Sequence, residues 1–339
     1  MNILLISPLG FAIHESTRYA GIEKLVHSYA RELCKKHNVS VMAHADSNFP
    51  HSVAFMPTRP LTNEDIFLQA ELRQYQQYQS VLRKYDVIHD FSHQHFASRF
   101  NPNLPSLNMV WHAPLVAKFP KSPYNIVMPS EWGRREFERV YNQKAKFQET
   151  ITIDGRVYKP KPNVKRTDWF ITLGIMRENK GNLKAVLLAK EAGIKLHVAG
   201  AKSDPLYEAE ILKHCDDKIR YLGEVSFHQK LTLMKTCKAL IYAHSEPEVT
   251  SHKVQEFMFC GAPVLCSRIG ALPEIVTHGV NGLLYDNDRD FIHGIKYGLD
   301  QLIPVEGHFE NFRKRFSIEM VVGNYLPLCE QVANGLRWS

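Results

Sequence analysis

The sequence predicts an α/β protein built as two doubly wound domains. Three observations carry this expectation. Its 339 residues are enough for two domains of ordinary size. Each half opens on a short apolar run, Asn2-Ile3-Leu4-Leu5-Ile6-Ser7 and Trp169-Phe170-Ile171-Thr172-Leu173, that reads as a buried strand. After each opening, strand-like runs alternate with helix-period segments, the pattern of a parallel sheet with crossover helices.

In the first half the strands read as residues 2–7, 39–43, 87–89, 108–112, 125–128 and a last one near 150–153. The Gln- and Tyr-rich stretch 68–83 reads as a long polar helix. Residues 156–167 carry Lys159-Pro160-Lys161-Pro162 and read as a charged, proline-bearing linker. In the second half the strands read as 169–173, 195–199, 219–222, 239–242, 263–266 and 282–285. Residues 320–336 read as an amphipathic closing helix.

Composition bounds the function classes. Hydrophobic content of 44% and charged content of 23% are ordinary for a soluble globular protein. No run of 18 or more apolar residues suggests a membrane span. The opening Met1–Ser7 stretch has no basic lead-in and too short an apolar run for a signal peptide, so a cytoplasmic enzyme is expected. The net charge is +7, but the basic residues are scattered. That argues against nucleic acid as a partner and for anionic small substrates, with membrane attachment at most peripheral. Six cysteines form no Cys-x-x-Cys pair and read as reduced thiols.

The densest chemistry lies between Ser245 and Asp286. Glu248 and Glu256 stand eight positions apart, with Thr250 or Ser251 as a candidate N-cap between them and Gly261 as a helix stop. In one continuous helix a spacing of eight turns the side chain by about 80°. The two carboxylates can converge only if Glu248 lies on a strand-exit loop and Glu256 in the first turns of a helix. Lys253 would then be the wrong charge for the positive end of that helix, a conflict that a bound phosphate would relieve. On spacing alone, a plain capped helix with solvated charges fits as well.

The segment resembles the signature of retaining family-4 glycosyltransferases, which have the GT-B fold: two Rossmann-like doubly wound domains facing a cleft. That signature pairs two glutamates across seven residues, then continues Gly-x-Pro-Val, Gly-x-x-Pro-Glu-Ile-Val and Gly-x-x-Gly-Leu-Leu. Here these are Glu248, Glu256, Gly261, Pro263, Val264, Gly270, Pro273, Glu274, Ile275, Val276, Gly279, Gly282, Leu283 and Leu284. The chain departs at Ser251, where the family has glycine, and at Phe257 and Phe259, where it has small residues. Glu246 is a competing first carboxylate, but its spacing to Glu256 is ten.

The resemblance implies an acceptor-side domain over 1–155 joined by the closing helix 317–339, a linker over 156–167 and a donor domain over 168–316. It implies transfer of a sugar, with retention, from a nucleotide-diphosphate sugar (a UDP-hexose is the commonest case) to a hydroxyl acceptor. No metal or other cofactor is implied; the acceptor could be a saccharide, a lipid-linked carrier or a small metabolite. Glu256 would hold the ribose, Glu248 the donor sugar, and Lys180 the departing diphosphate, with backbone amides near Thr250, Ser251 and His252 assisting. Gly174 begins the loop that resembles the family's Gly-Arg-x-x-x-x-Lys-Gly. Lys180 is in register there, but Ile175 stands in the arginine's place, and Arg177, two positions on, is the candidate substitute. Gly21 keeps one glycine of a family Gly-Gly pair, Ala20 having replaced the other. His112 matches a strand-end histidine that faces the donor sugar, and Ser130-Glu131 resembles a helix start on the cleft wall.

Two other readings stay open. A nucleotide-sugar 2-epimerase shares the GT-B fold, and Ile175, Ala20 and Ser251 leave room for a non-catalytic nucleotide-sugar-binding homologue. The cluster His89-Asp90-Phe91-Ser92-His93-Gln94-His95 is a weaker candidate for zinc.

Overall fold

The computed structural model describes residues 1–14, 21–59, 67–112, 124–160, 165–299, 302 and 306–339. Ala20, Lys161 and Pro162, singled out above, lie outside them. The chain forms two compact units, Met1–Thr152 with Phe316–Ser339, and Ile153–Arg315.

The first unit is a seven-stranded parallel sheet. Its strands are β1 (Asn2–Ile6), β2 (Asn38–His44), β3 (Val53–Thr58), β4 (Val87–Asp90), β5 (Ser106–Met109), β6 (Ile126–Met128) and β7 (Ala145–Phe147), ordered β3-β2-β1-β4-β5-β6-β7. Period-two alternation divides its core. Ile3 and Leu5 face a cluster with Val26 and Tyr29 of the helix Gly21–Leu33 and with Val321, Tyr325 and Cys329 of the helix Ile318–Ala333. Leu4 and Ile6 face the opposite cluster, with Leu82, Ala97 and Leu104.

The second unit is a six-stranded parallel sheet. It comprises β8 (Trp169–Leu173), β9 (Lys195–Ala199), β10 (Ile219–Gly223), β11 (Leu240–Tyr242), β12 (Val264–Ser267) and β13 (Gly282–Tyr285), ordered β10-β9-β8-β11-β12-β13. Chain order reverses between β8 and β11, the switch point at which open α/β sheets leave a crevice beyond the strands' carboxyl ends. The helix Asn182–Ala192 buries Ala185, Val186, Leu188 and Ala189 against β8 and β9. The helix His252–Phe259 packs on β11 and β12. Two Rossmann-like parallel-sheet units are thus present, as the sequence predicts.

Several element expectations need correction. The last strand of the first unit is Ala145–Phe147, not 150–153. Thr150, Ile151 and Thr152 are buried without forming a strand of the sheet, so their apolar alternation reports burial rather than strand pairing. Strand β3 was not expected at all. β5 stops at Met109, three residues short of His112. The helix expected over 68–83 runs Phe67–Tyr78 and then tightens into a 3-10 segment, Gln79–Lys84; it buries Ala70, Glu71 and Gln74 and is therefore not polar all round. The closing helix starts at Ile318, capped by the Ser317 side chain accepting from the Met320 N–H. Among the described residues, no helix is long and apolar enough to cross a membrane.

Candidate active site

Two loops meet beyond the carboxyl ends of β8 and β11. The first leaves β8 at Gly174 and passes through a 3-10 turn, Glu178–Lys180, to Gly181. Gly181 has φ +67°, and a Cβ there would lie 1.9 Å from the Ala243 carbonyl oxygen just after β11. Only glycine lets the loop press this closely on its neighbour. The second loop, residues 243–251, carries Glu248. Its backbone is pinned from the Gly270 side: the Ala271 N–H donates to the Glu248 carbonyl at 3.0 Å, and a Cβ on Gly270 would meet Glu248 backbone nitrogen at 2.7 Å.

This packing brings Lys180 onto Glu248, with Nζ 3.0 Å from Oε1. His244 joins them; its Nε2 is 3.1 Å from Glu248 Oε1 and 3.1 Å from Lys180 Nζ. The Tyr242 hydroxyl donates to the other carboxylate oxygen. His244 Nδ1 lies 2.8 Å from the Glu246 carbonyl, which can only accept, so Nδ1 carries a proton. Nε2 then accepts from Lys180 when the ring is neutral, or donates to Glu248 when it is charged. Burial alone would raise the Glu248 pKa, but His244, Lys180 and the Tyr242 hydroxyl outweigh it and hold the carboxyl at about 2. The group is a fixed anion at neutral pH.

Glu256 lies within the helix His252–Phe259. Lys230, from the helix Phe227–Thr236, reaches it at 2.6 Å, and Tyr158 donates its hydroxyl to the other oxygen. Burial opposes ionisation here too, but the Lys230 charge and the two hydrogen bonds prevail and lower its pKa. Lys253, in the first turn of the same helix, lies with Nζ 5.0 Å from the centre of the Tyr242 ring, and a Cβ on Gly174 would meet that ammonium at 2.7 Å.

The expected residues do not all gather. Glu248, Lys180 and Gly174 belong to the cluster, and Ser251 supplies the N-cap position at the start of the Glu256 helix, with Thr250 before it and His252 as the first helical residue. Arg177 is exposed and donates from Nε to Ser203 Oγ at 2.9 Å, toward the loop after β9. Glu246 accepts from Asn179 at 3.1 Å and stays outside the Lys180 pair. In the first unit, Gly21 is the exposed first residue of its helix. His112 stacks on His93 with ring centres 5.1 Å apart and Nε2 3.3 Å from His93 Nδ1. Burial first, then the neighbouring His112 and His95, push the His93 pKa down to about 4.

The three histidines weighed as zinc ligands have separate partners. His89 Nε2 meets Cys329 Sγ at 2.9 Å, His93 meets His112, and His95 Nδ1 lies 3.6 Å from Asp90. Among the described residues, no three His, Cys, Asp or Glu side chains are grouped to hold a metal ion.

Sequence reasoning missed His244, Lys230, Tyr158 and Tyr242. The one available signal was His244 at the exit of β11, four residues before Glu248, a spacing that brings side chains together on a turn.

This arrangement falls inside a recognisable region. Residues 148–301 match the family model described as glycosyl transferases group 1. An uncharacterised glycosyltransferase of Methanocaldococcus jannaschii is 29% identical over 131 residues, 37% of this chain and 36% of that protein. The O-antigen chain mannosyltransferase of Salmonella typhimurium is 28% identical over 113 residues, 32% of this chain and 31% of that one. These matches thus span about a third of each relative's length. Among solved structures, AviGT4, a glycosyltransferase involved in avilamycin A biosynthesis, superposes with TM-score 0.76 at 19% identity, covering 100% of this chain and 99% of its own. Anabaena HepE in complex with UDP superposes with TM-score 0.73 at 15% identity, covering 98% and 100%. At these identities the structural likeness carries the fold.

Proposed function

We propose that this protein is a glycosyltransferase that moves a sugar from a nucleotide-diphosphate donor to a hydroxyl-bearing acceptor. The observation that carries the reading is the Lys180–Glu248 pair at the β8–β11 switch point, with the ionised Glu256 eight positions on, inside the region matching glycosyl transferases group 1. A cation beside the crevice suits the negative charge that develops on a departing diphosphate. A carboxylate held fully ionised suits hydrogen bonding to sugar hydroxyls, since it only accepts. Lys180 therefore takes the leaving-group role, Glu248 orients the donor sugar, and Glu256 holds the ribose.

The family-4 resemblance of the Glu248–Leu284 segment supports retention of configuration and a mechanism without a resident metal. A UDP-hexose is the donor we favour: HepE was solved with UDP and with UDP-glucose, and the Salmonella relative is a mannosyltransferase. The protein acts as a soluble cytoplasmic enzyme.

The test has two stages. A thermal-shift screen of nucleoside diphosphates and their sugars should give at least one that raises the melting temperature, because a ligand selective for the native state stabilises it. That donor should then release its nucleoside diphosphate slowly in water and faster with the correct acceptor. Failure of every nucleoside diphosphate to bind rejects the reading.

A further inference from the structure

Lys180 is paired with Glu248, and Lys230 with Glu256. Lys253 has no such counter-ion: among the described residues its ammonium makes no hydrogen bond or ion pair. It cannot borrow either carboxylate on equal terms. Glu248 already answers Lys180, His244 and Tyr242, and Glu256 answers Lys230 and Tyr158.

Its position is built rather than accidental. The ammonium rests against Gly174, 2.7 Å from where a Cβ there would lie, and beside the Tyr242 ring, whose face attracts a cation. Gly174 immediately precedes Ile175, the site at which the resembling family carries an arginine. Lys253 also stands in the first turn of its helix, where the backbone N–H groups already carry positive character. Burial first, then the charges of Lys180 and Lys230, lower its pKa to about 8 against the opposing pull of Glu248 and Glu256. A cation placed among cations, with its carboxylates engaged elsewhere, is at rest only when an anion arrives.

We propose that Lys253 is a diphosphate-binding residue of the donor site and supplies the positive charge that Ile175 does not. This rests on the glycosyltransferase reading and assigns it a residue the sequence comparison passes over. The charge has moved from the loop after β8 to the helix after β11, and Gly174 is the space that admits it.

The experiment compares wild type, Lys253→Met and Lys253→Arg by calorimetry with UDP, inorganic pyrophosphate and uridine, together with their ligand-free melting curves. Loss of a charged hydrogen-bonding partner should weaken UDP and pyrophosphate roughly 10- to 100-fold in Lys253→Met and leave uridine unchanged. The arginine variant should recover part of the UDP affinity. Lys253→Met should also melt at or above the wild-type temperature, since it removes an uncompensated cation. UDP affinity of wild type should fall as pH rises through 8, a dependence absent in Lys253→Met. UDP binding within twofold of wild type in Lys253→Met, or a lowered melting temperature there, overturns the assignment while leaving the function intact. Wild type that binds neither UDP, other nucleoside diphosphates nor pyrophosphate overturns both.

Discussion

The hydroxyl of Tyr158 donates to the carboxylate of Glu256, 98 positions away, and so ties the segment after Ile153 to the helix His252–Phe259. Lys230 completes the contact from a third element. Glu256 is thus a structural node as well as a candidate ribose contact. Its replacement by glutamine should destabilise the protein by about 1–3 kcal/mol, because Lys230 is left without its counter-charge. Urea unfolding reads that loss, and calorimetry should show UDP weakened more than pyrophosphate.

Glu248 makes stability depend on acid. Its folded pKa of about 2 lies below the ordinary carboxyl value, so its contribution is fully present above pH 4.5 and is lost as pH falls toward 2. The loss amounts to at most about 3 kcal/mol. Unfolding free energies of wild type and Glu248→Gln, measured from pH 6 to pH 2.5, should converge as the pH drops. A constant gap across that range would contradict the electrostatic account.

Glu248→Ala and Lys180→Ala should each abolish sugar transfer while circular dichroism stays native. Both side chains sit at the loop surface of the crevice and carry little of the core. Wild-type turnover in both variants would reject this site.

Gly181→Ala should be more damaging than its size suggests. The residue combines a left-handed backbone with a 1.9 Å collision against the Ala243 carbonyl, so the loop carrying Lys180 must move. We expect at least ~2 kcal/mol of destabilisation, read as a drop in melting temperature, together with loss of transfer.

The sheet cores and the motif-bearing loops were legible because buried parallel strands write long apolar runs and Gly181, Gly261 and Gly270 mark backbone positions that leave little choice. β3 was not, because Pro57 argues against a strand; it is tolerated where β3 lies, at the sheet edge. β7 was hidden by its three-residue length, again at an edge. Lys253 was legible only as a conflict with the helix dipole. Lys230 and Tyr158 reach Glu256 from elements far apart in sequence, and spacing carries no record of such meetings; only His244, four residues before Glu248, left a local trace. Arg177 illustrates the converse: its nearness in sequence to Ile175 suggests a substitute, yet its guanidinium turns to Ser203.

The return of the helix Ile318–Ala333 into the core around Ile3 and Leu5 has a consequence for biosynthesis. The amino-terminal unit leaves the ribosome before the second but cannot close its core until the helix Ile318–Ala333 has been made. The unit spanning Ile153–Arg315 is continuous and can finish earlier, reversing the usual first-made, first-folded order. Nascent Ile3 and Leu5 therefore wait for partners more than three hundred codons downstream, and a truncation that takes away Phe316–Ser339 would leave the earlier-made unit without part of its core.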